Sequence, residues 1–190
     1  MGNTRKMIYI GIDPGITGAI AINDDKIEVH PMPTIAISKT KRDYNIHKIV
    51  KIFIDIKKDL LIYPLSTFST FIPPKIFVVI EEGGVMPKEG RVSSYKTGRG
   101  LGIIEGIVSA LQLPFVKVKP CTWKREMLKD CAGDDPKGKA ILQAERLFPE
   151  VSLYRTDKCK KPDHNYADAL LLMEYGRRIS GGENEKNKRK

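Results

Sequence analysis

Two short apolar runs in this sequence each end directly in a carboxylic acid, and this pattern constrains the fold more than any other feature. The run Met7–Ile12 leads into Asp13, which is followed by the turn-forming pair Pro14-Gly15. The run Lys75–Ile80 leads into Glu81. Short continuous apolar runs bounded by turn residues are typical of strands buried on both faces. We therefore predict an α/β protein whose central strands deliver acids to the edge of a sheet.

Asp13 taken alone has a simpler explanation, because Asp often opens a turn. Glu81 is harder to explain in this way, since Glu is depleted in strands. Side chains alternate along a strand, so Glu81 and Glu82 are expected to point to opposite faces, and only one of them can share a face with Asp13. The other is expected to be a solvent-exposed loop residue.

The other elements follow from periodicity. Further strands are predicted over Thr17–Ile22, Lys26–Met32 and Phe115–Val118. Helices are predicted over Asp43–Leu61, Tyr95–Leu111, Cys121–Lys129, Lys137–Leu147 and Asp163–Ile179. The order βββ-α-β-α-β-α-α-α resembles that of the RNase H-like fold, which implies a mixed five-stranded sheet, antiparallel first and parallel later, with helices on both faces.

A third acid, Asp168, sits inside the apolar part of the last predicted helix. His164 precedes it by one helical turn and lies on the same face. Asp163 follows a proline and suits the helix N-cap, although Asp163 and Asn165 are both alternatives to His164 at the site. Three converging carboxylates repel one another unless a cation neutralises them, and hard oxygen ligands favour Mg²⁺, with Mn²⁺ as a substitute.

The charge balance points to a polyanionic partner. The 190 residues contain 33 Lys and Arg against 23 Asp and Glu, a formal net charge of +10. A basic protein with an acidic cluster suggests two-metal phosphodiester hydrolysis, in which one ion activates water and the other stabilises the leaving 3′ oxygen. The products would be a 5′ phosphate and a 3′ hydroxyl.

Composition also indicates where in the cell the chain is expected to work. No apolar stretch is long enough to span a membrane, no targeting signal is visible, and no small-molecule cofactor is indicated. Cys121, Cys131 and Cys159 form no CxxC pair, which argues against disulfides and structural zinc and favours a cytoplasmic location. We expect one domain over residues 1–182 and a basic, disordered tail over residues 183–190.

The motifs IDPG-x-TGA, IEE and DHNYADALLLMEYG, in this order, resemble the RuvC-like Holliday-junction resolvases, and more those of phages and chloroplasts than the bacterial housekeeping enzyme. The resemblance covers residues 7–179. It implies that Asp13, Glu81 and Asp168 are metal-binding acids and that His164 is the fourth ligand. Many bacterial members place that ligand three residues before the last acid, where this chain has Asn165.

The resemblance also implies residues that contact DNA. A lysine near the scissile phosphate is matched by Lys137, with Lys139 as its neighbour, although a solvated surface lysine is an equally simple interpretation. The glycine-bearing segment after Glu81 and the helix that follows it supply cations suited to gripping phosphates. The residues predicted to bind DNA are Lys88, Arg91, Lys96, Arg99, Lys124 and Lys139.

Two further features concern assembly and packing. Gly98, Gly102, Gly106 and Ala110 recur every four residues and allow another backbone to approach closely, either the chain's own sheet or a second subunit. The resemblance implies a homodimer, because a four-way junction has two-fold symmetry. Trp123 is interpreted as packing rather than as a platform for an unpaired base.

The acidic cluster and the basic charge predict a Mg²⁺-dependent nuclease, and the resemblance implies that it resolves Holliday junctions by paired symmetric nicks. Three alternatives remain at this point. An RNA- or branched-DNA-directed nuclease can share the fold, and so can a non-catalytic junction-binding protein. A phosphotransferase of the actin and sugar-kinase superfamily has a similar Asp13–Thr17 loop, but that fold needs a second, similar domain and the sequence contains no repeat.

Overall fold

The computed structural model describes residues 7–61, 75–83, 90–132 and 135–187. The strands in this part of the chain are β1 (Met7–Asp13), β2 (Ala19–Asn23), β3 (Ile27–Pro31), β4 (Thr34–Ala36), β5 (Arg42–Tyr44), β6 (Lys75–Glu81) and β7 (Phe115–Val118). The helices are α1 (Ile46–Leu61), α2 (Arg91–Ala110), α3 (Pro120–Met127), α4 (Pro136–Leu147) and α5 (His164–Asn187).

The main sheet has five strands in the order β3-β2-β1-β6-β7. The pairs β1–β2 and β2–β3 are antiparallel, whereas β1–β6 and β6–β7 are parallel. This arrangement confirms the predicted mixed sheet, with an antiparallel meander followed by parallel strands. The central position of β1 places its last residue, Asp13, between neighbouring strands on both sides.

Helices cover both faces of the sheet, as predicted. Ile10 and Ile12 of β1 pack into the apolar layer that α1 and α2 complete. Gly11 faces the opposite layer, where a Cβ atom would lie 2.2 Å from the carbonyl oxygen of Ala169 and 2.3 Å from the nitrogen of Met173. A side chain at this position would therefore hold α5 away from the sheet, and glycine lets Asp168 approach the end of β1.

A two-stranded hairpin precedes α1, and the sequence analysis missed it. Strands β4 and β5 pair antiparallel, with Thr34 opposite Tyr44. The predicted start of the helix at Asp43 was wrong, because Asp43 belongs to β5. The side chain of Asn45 instead accepts a hydrogen bond from the backbone N–H of Lys48 at 3.1 Å, which caps α1 and explains why the helix begins at Ile46.

Other boundaries differ less. Helix α2 begins at Arg91 rather than Tyr95, and the backbone of α5 continues to Asn187 rather than ending at Ile179. The segment 84–89, with the predicted DNA contact Lys88, lies outside the described residues, and the division of the chain at residue 182 stays a prediction. Among the described residues, none of the helices combines the length and the apolar character needed to cross a membrane.

Candidate active site

The ends of two parallel strands bring the first two predicted acids together. Ile12 lies opposite Ile80 in the pairing of β1 with β6, so Asp13 and Glu81 emerge side by side at the same edge of the sheet. Asp168 is 8 % exposed and lies on α5, which packs across β1 through Gly11. The fold therefore gathers three acids from distant parts of the sequence at one place.

The electrostatics of the three acids show that they interact. Burial, followed by the charges of Asp13 and Asp168, raises the pKa of Glu81 to about 7. Burial also raises the pKa of Asp13, with a further contribution from the charge of Asp168. The pKa of Asp168 is raised by burial as well. Each carboxylate is thus costly to ionise at this site without a compensating cation.

Asp13 also has the structural role that the turn suggested. Its Oδ1 atom accepts a hydrogen bond from the backbone N–H of Gly15 at 3.0 Å, and this contact opposes the rise in its pKa. The two interpretations of Asp13 are therefore compatible. The residue shapes the turn after β1 and presents its carboxylate to the other acids.

Lys124 lies in the acidic site rather than on an outer surface. Its Nζ atom is 3.0 Å from Oδ2 of Asp168, and its charge lowers the pKa of Asp13, Glu81 and Asp168. Helix α3, which carries Lys124, starts directly after β7, the neighbour of β6, and so begins at the edge of the sheet where the acids lie. That placement is a signal in the sequence order that could have identified Lys124 as part of the site.

Trp123 is fully buried, with 0 % exposure, which confirms its interpretation as packing and excludes stacking on a base. Its indole N–H acts as a donor toward Glu81 and opposes the rise in the pKa of that carboxyl. The contact falls short of full hydrogen-bond geometry, and Nε1 has no other partner among the described residues. The Lys124 ammonium lies 4.9 Å from the centroid of the indole ring.

The start of α5 separates two of the three candidates for a fourth ligand, Asp163 and His164. Asp163 is the N-cap, because its Oδ1 accepts from the backbone N–H of Asn165 at 2.8 Å, and its carboxylate pairs with Arg155. His164 lies close enough for its charge to lower the pKa of Asp13 and Asp168, as well as that of its neighbour Asp163. Asp163 is thus engaged away from the site, and His164 is the candidate ligand that interacts with the acids.

The two lysines at the start of α4 differ in their relation to the site. The helix is capped by Asp135, whose side chain accepts from the backbone N–H groups of Lys137 and Gly138. Lys137 is exposed, and its charge lowers the pKa of Asp168. Lys139 is partly buried. Its charge is not among the influences that shift the pKa of Asp13, Glu81 or Asp168.

The cations predicted on α2 have different environments. Arg91 and Lys96 are exposed near the start of the helix. Arg99 forms a bidentate ion pair with Asp43 of the hairpin, with Nη2 2.9 Å from Oδ2, and its guanidinium lies 5.8 Å from the centroid of the Tyr44 ring. Arg99 therefore joins α2 to the hairpin instead of extending freely into solvent.

Tyr44 is a residue next to the site that the sequence analysis missed. Its buried hydroxyl donates to the carbonyl oxygen of Pro14 at 2.8 Å, immediately after Asp13. A Cβ atom on Gly100 of α2 would lie 2.2 Å from this hydroxyl oxygen and 2.7 Å from the Pro14 carbonyl oxygen. The hairpin, α2 and the turn after β1 thus meet at one closely packed point.

The donor chemistry of the site suits a hard divalent cation, because three carboxylates with raised pKa values lie within electrostatic reach of one another. As the side chains stand, however, the described residues contain no group of three His, Cys, Asp or Glu side chains spaced to hold a metal ion. Lys124 occupies one oxygen of Asp168 in this arrangement. A metal site here would require side chains to rearrange.

Sheet order and flanking helices define an RNase H-like α/β fold. Neither a protein-family model nor a curated protein sequence matches the chain. Among solved structures, RuvC of T. thermophilus in complex with a Holliday junction substrate is similar, with a TM-score of 0.51 and 19 % identity, covering 91 % of this chain and 96 % of that one. A structure of Thermus thermophilus RuvC gives a TM-score of 0.48 and 19 % identity, covering 92 % and 97 %. At this identity the likeness confirms the resemblance to RuvC as one of fold.

Proposed function

We propose that this protein is a Mg²⁺-dependent endonuclease that cuts four-way DNA junctions. The observation that carries the proposal is the convergence of Asp13, Glu81 and Asp168 at one edge of the sheet, with burial and mutual repulsion raising the pKa of Glu81 to about 7. Three buried acids that repel one another destabilise the folded chain, so their presence indicates that they bind a cation or take part in a proton transfer. The basic surface of the chain, with a net charge of +10, supports a nucleic acid as substrate.

Asp13, Glu81, Asp168 and His164 are the residues that would hold two Mg²⁺ or Mn²⁺ ions. When bound, these ions would activate water and stabilise the leaving 3′ oxygen, giving 5′-phosphate and 3′-hydroxyl ends. Lys124 favours the ionised form of Asp168 and must leave Oδ2 before that oxygen can act as a ligand. The Trp123 indole opposes protonation of Glu81 from the buried side.

Lys137 and Lys124 supply positive charge beside the acids. Lys137 is exposed, yet its charge reaches Asp168, so it can approach a phosphate bound at the acids from the solvent side. A lysine in this position stabilises charge that develops on the phosphate during hydrolysis. Lys139, Arg91, Lys96 and, outside the described residues, Lys88 are proposed to contact the DNA backbone farther away.

A four-way junction is favoured as the substrate because the fold is similar to that of T. thermophilus RuvC, whose structure holds a Holliday junction. The described residues form one five-stranded sheet and one two-stranded hairpin, and these offer no second domain of the kind that an actin-like or sugar-kinase-like phosphotransferase uses to enclose ATP. One cleavage assay distinguishes the proposed enzyme from an RNA-directed nuclease and from a non-catalytic junction-binding protein.

We propose further that the protein acts as a homodimer through α2. A Cβ atom added at Gly98, Gly102 or Gly106 would meet nothing within 4 Å among the described residues, so the chain's own sheet does not explain these glycines. Val92 and Tyr95 are 67 % and 68 % exposed near the start of the same helix. An open stripe of glycines beside exposed apolar side chains suits close approach by a second copy, whose two-fold axis would match that of the junction.

The test mixes the purified chain with a synthetic four-way junction, a matched duplex and an RNA–DNA hybrid, in Mg²⁺ or in EDTA. The proposal predicts paired symmetric nicks in the junction alone, none in EDTA, and loss of cleavage with retained binding in Asp13→Asn. Asp130→Asn, an exposed carboxylate outside the site, is the matched control and should cut normally. Binding without cleavage in Mg²⁺ and Mn²⁺ would favour the non-catalytic alternative, and preferred cutting of the hybrid would favour the RNA-directed one.

A further inference from the structure

A cleft of about 430 Å³ opens beside the acidic site, between the turn that follows β1 and the loop that precedes α5. Its lining includes Thr17, Arg155, Cys159, Lys161, His164 and Asn165. His164 belongs both to this cleft and to the candidate active site, so the cleft borders the site. The volume falls in the range of roughly 300–1,000 Å³ that small ligands occupy.

The wall of the cleft is braced by Arg155. Its guanidinium donates to the carboxylate of Asp163 and to the backbone carbonyl of Thr17, and it lies 5.3 Å from the centroid of the Tyr166 ring. The backbone N–H of Asp163 also donates to the carbonyl oxygen of Leu153 at 2.8 Å. These contacts tie the loop to the turn after β1, so the protein's own interactions fix this wall of the cleft.

The charge of the cleft favours an anion. Arg155 pairs with Asp163. Burial is the largest single influence on the pKa of that carboxyl and raises it, but the hydrogen bonds from Arg155 and from the backbone N–H of Asn165, together with the charges of Arg155 and His164, lower the pKa overall. Lys161 is exposed and forms no ion pair within the described part of the chain. Lys161 therefore adds to the cleft an ammonium group that pairs with no carboxylate of the described residues, while Thr17 and Asn165 add neutral hydrogen-bonding groups.

We propose that this cleft binds one nucleotide of the DNA strand that enters the acidic site, with its phosphate on Lys161 and its sugar or base beside Thr17 and Asn165. The inference rests on the proposed nuclease function and adds to it a binding position for the nucleotide next to the one that is cut. A nucleotide held here would fix the register of the strand over the acids, because His164 lies on the shared boundary.

The same loop offers matched controls for Lys161. Lys158 and Lys160 are also exposed lysines of this loop but do not line the cleft. We expect Lys161→Glu to weaken binding of the junction and of a single-stranded oligonucleotide in EDTA about tenfold, and Lys158→Glu and Lys160→Glu to weaken it about twofold or less. Fluorescence anisotropy measures all three. Equal losses in the three variants would overturn the proposal, because a generally basic loop predicts that result.

Cys159 provides a footprint of the cleft itself. It is an exposed thiol whose pKa is lowered by a hydrogen bond with Thr156, and thiolates react readily with iodoacetamide. Bound oligonucleotide should slow alkylation of Cys159 about fivefold or more, as followed by mass spectrometry, and leave exposed Cys121 unchanged. Unchanged alkylation of Cys159 at saturating DNA, or equal protection of both cysteines, would contradict a nucleotide in the cleft.

A mononucleotide serves as a further probe in the same alkylation experiment. If it protects Cys159 as strongly as the oligonucleotide does, the cleft is a site for free nucleotides and the proposal is overturned. These experiments distinguish a failure of the cleft proposal from a failure of the proposed nuclease function. If the wild-type chain cuts junctions but DNA does not protect Cys159, the cleft inference alone fails. If DNA protects Cys159 and Lys161→Glu selectively weakens binding, but no junction is cut, the nuclease function fails and the cleft remains a site for a DNA strand.

Discussion

The ammonium nitrogen of Lys124 lies 3.0 Å from Oδ2 of Asp168, so a cation of the protein itself neutralises one of the three gathered acids. The side chains are 30 % and 11 % exposed, which leaves the pair only partly screened by solvent. Because the charge of Lys124 also lowers the pKa of Asp13 and Glu81, this residue prepares all three carboxylates for a divalent cation while competing with that cation for Asp168.

Lys124→Met tests this dual role. Removal of the competing charge should tighten Mn²⁺ binding in the absence of DNA about tenfold at pH 8, because a unit charge near the ligands is lost. Cleavage of the junction should nevertheless fall about 100-fold, since positive charge beside the phosphate is lost as well. Calorimetric titration and single-turnover kinetics measure the two effects.

The matched control is Lys129→Met, just beyond α3, where the lysine is 57 % exposed and pairs with Glu126. It should change neither quantity by more than about twofold. Weaker Mn²⁺ binding in Lys124→Met would show that this lysine supports the metal site instead of competing with the metal.

The raised pKa of Glu81 predicts how stability depends on pH. The ordinary pKa of a glutamic acid carboxyl is 4.5, whereas the pKa of Glu81 in the folded chain is about 7. Between these values the folded state binds more protons than the unfolded state, so the free energy of unfolding falls as the pH rises through this window. In EDTA, Glu81→Gln should therefore match wild type below pH 4.5 and exceed it by up to about 3 kcal/mol above pH 7.

Urea unfolding at a series of pH values measures this difference. Glu82→Gln is the neighbouring control, because the charge of Glu82 acts on Lys117 rather than on the acids. Mg²⁺ should stabilise the wild-type chain more at pH 8 than at pH 5.5, since binding requires the ionised acid. A constant difference between Glu81→Gln and wild type across the whole pH range would contradict the environment described for Glu81.

Tyr44 and Gly100 should prove necessary for the geometry of the turn after Asp13. Tyr44→Phe removes a buried hydrogen bond to the carbonyl of Pro14 and should cost about 1–2 kcal/mol of stability. Gly100→Ala places a Cβ atom against the Tyr44 hydroxyl and should cost about 1–3 kcal/mol. Chemical unfolding measures both variants.

The controls are Tyr154→Phe, where the side chain is 44 % exposed, and Gly102→Ala, where the added Cβ meets nothing within 4 Å. Neither should destabilise the monomer, and Gly102→Ala can stabilise it by about 1 kcal/mol through helix propensity. If Gly100→Ala is as stable as Gly102→Ala, the close packing at this point is not needed.

The proposed dimer predicts that Gly102→Leu and Gly106→Leu shift the protein toward monomer, because a large side chain blocks close approach along α2. Analytical ultracentrifugation measures the change, and circular dichroism should be unaltered. Gly181→Leu in α5 is the control, since a Cβ atom there also meets nothing within 4 Å. A wild-type chain that stays monomeric at high concentration, with and without DNA, would rule out the dimer.

The sequence predicted the parts of this fold that depend on local pattern. Asp13 and Glu81 could be identified because each ends an apolar run, and parallel pairing of those runs then places the two acids side by side. Asp168 could be identified because a carboxylate inside an apolar helix is costly without a partner. All three acids could therefore be identified from the apolar segments in which they stand.

Long-range contacts between polar groups could not be predicted in the same way. The brace from Arg155 to the carbonyl of Thr17 joins residues 138 positions apart, and no periodicity marks either partner. The β4–β5 hairpin was missed because its pairing depends on Tyr44 docking against Pro14 and on Arg99 pairing with Asp43. Lys124 differs from these contacts, because the order of β7 and α3 already places the start of α3 at the edge of the sheet where the acids lie.

The most direct test of the account is to locate Mn²⁺ by anomalous scattering in crystals of the protein grown with that ion. The account predicts anomalous peaks at roughly 2.0–2.6 Å from carboxylate oxygens of Asp13, Glu81 and Asp168, with the Lys124 ammonium displaced from Asp168. Crystals saturated with Mn²⁺ that show no peak at these three residues, or that bind the ion only elsewhere, would contradict it.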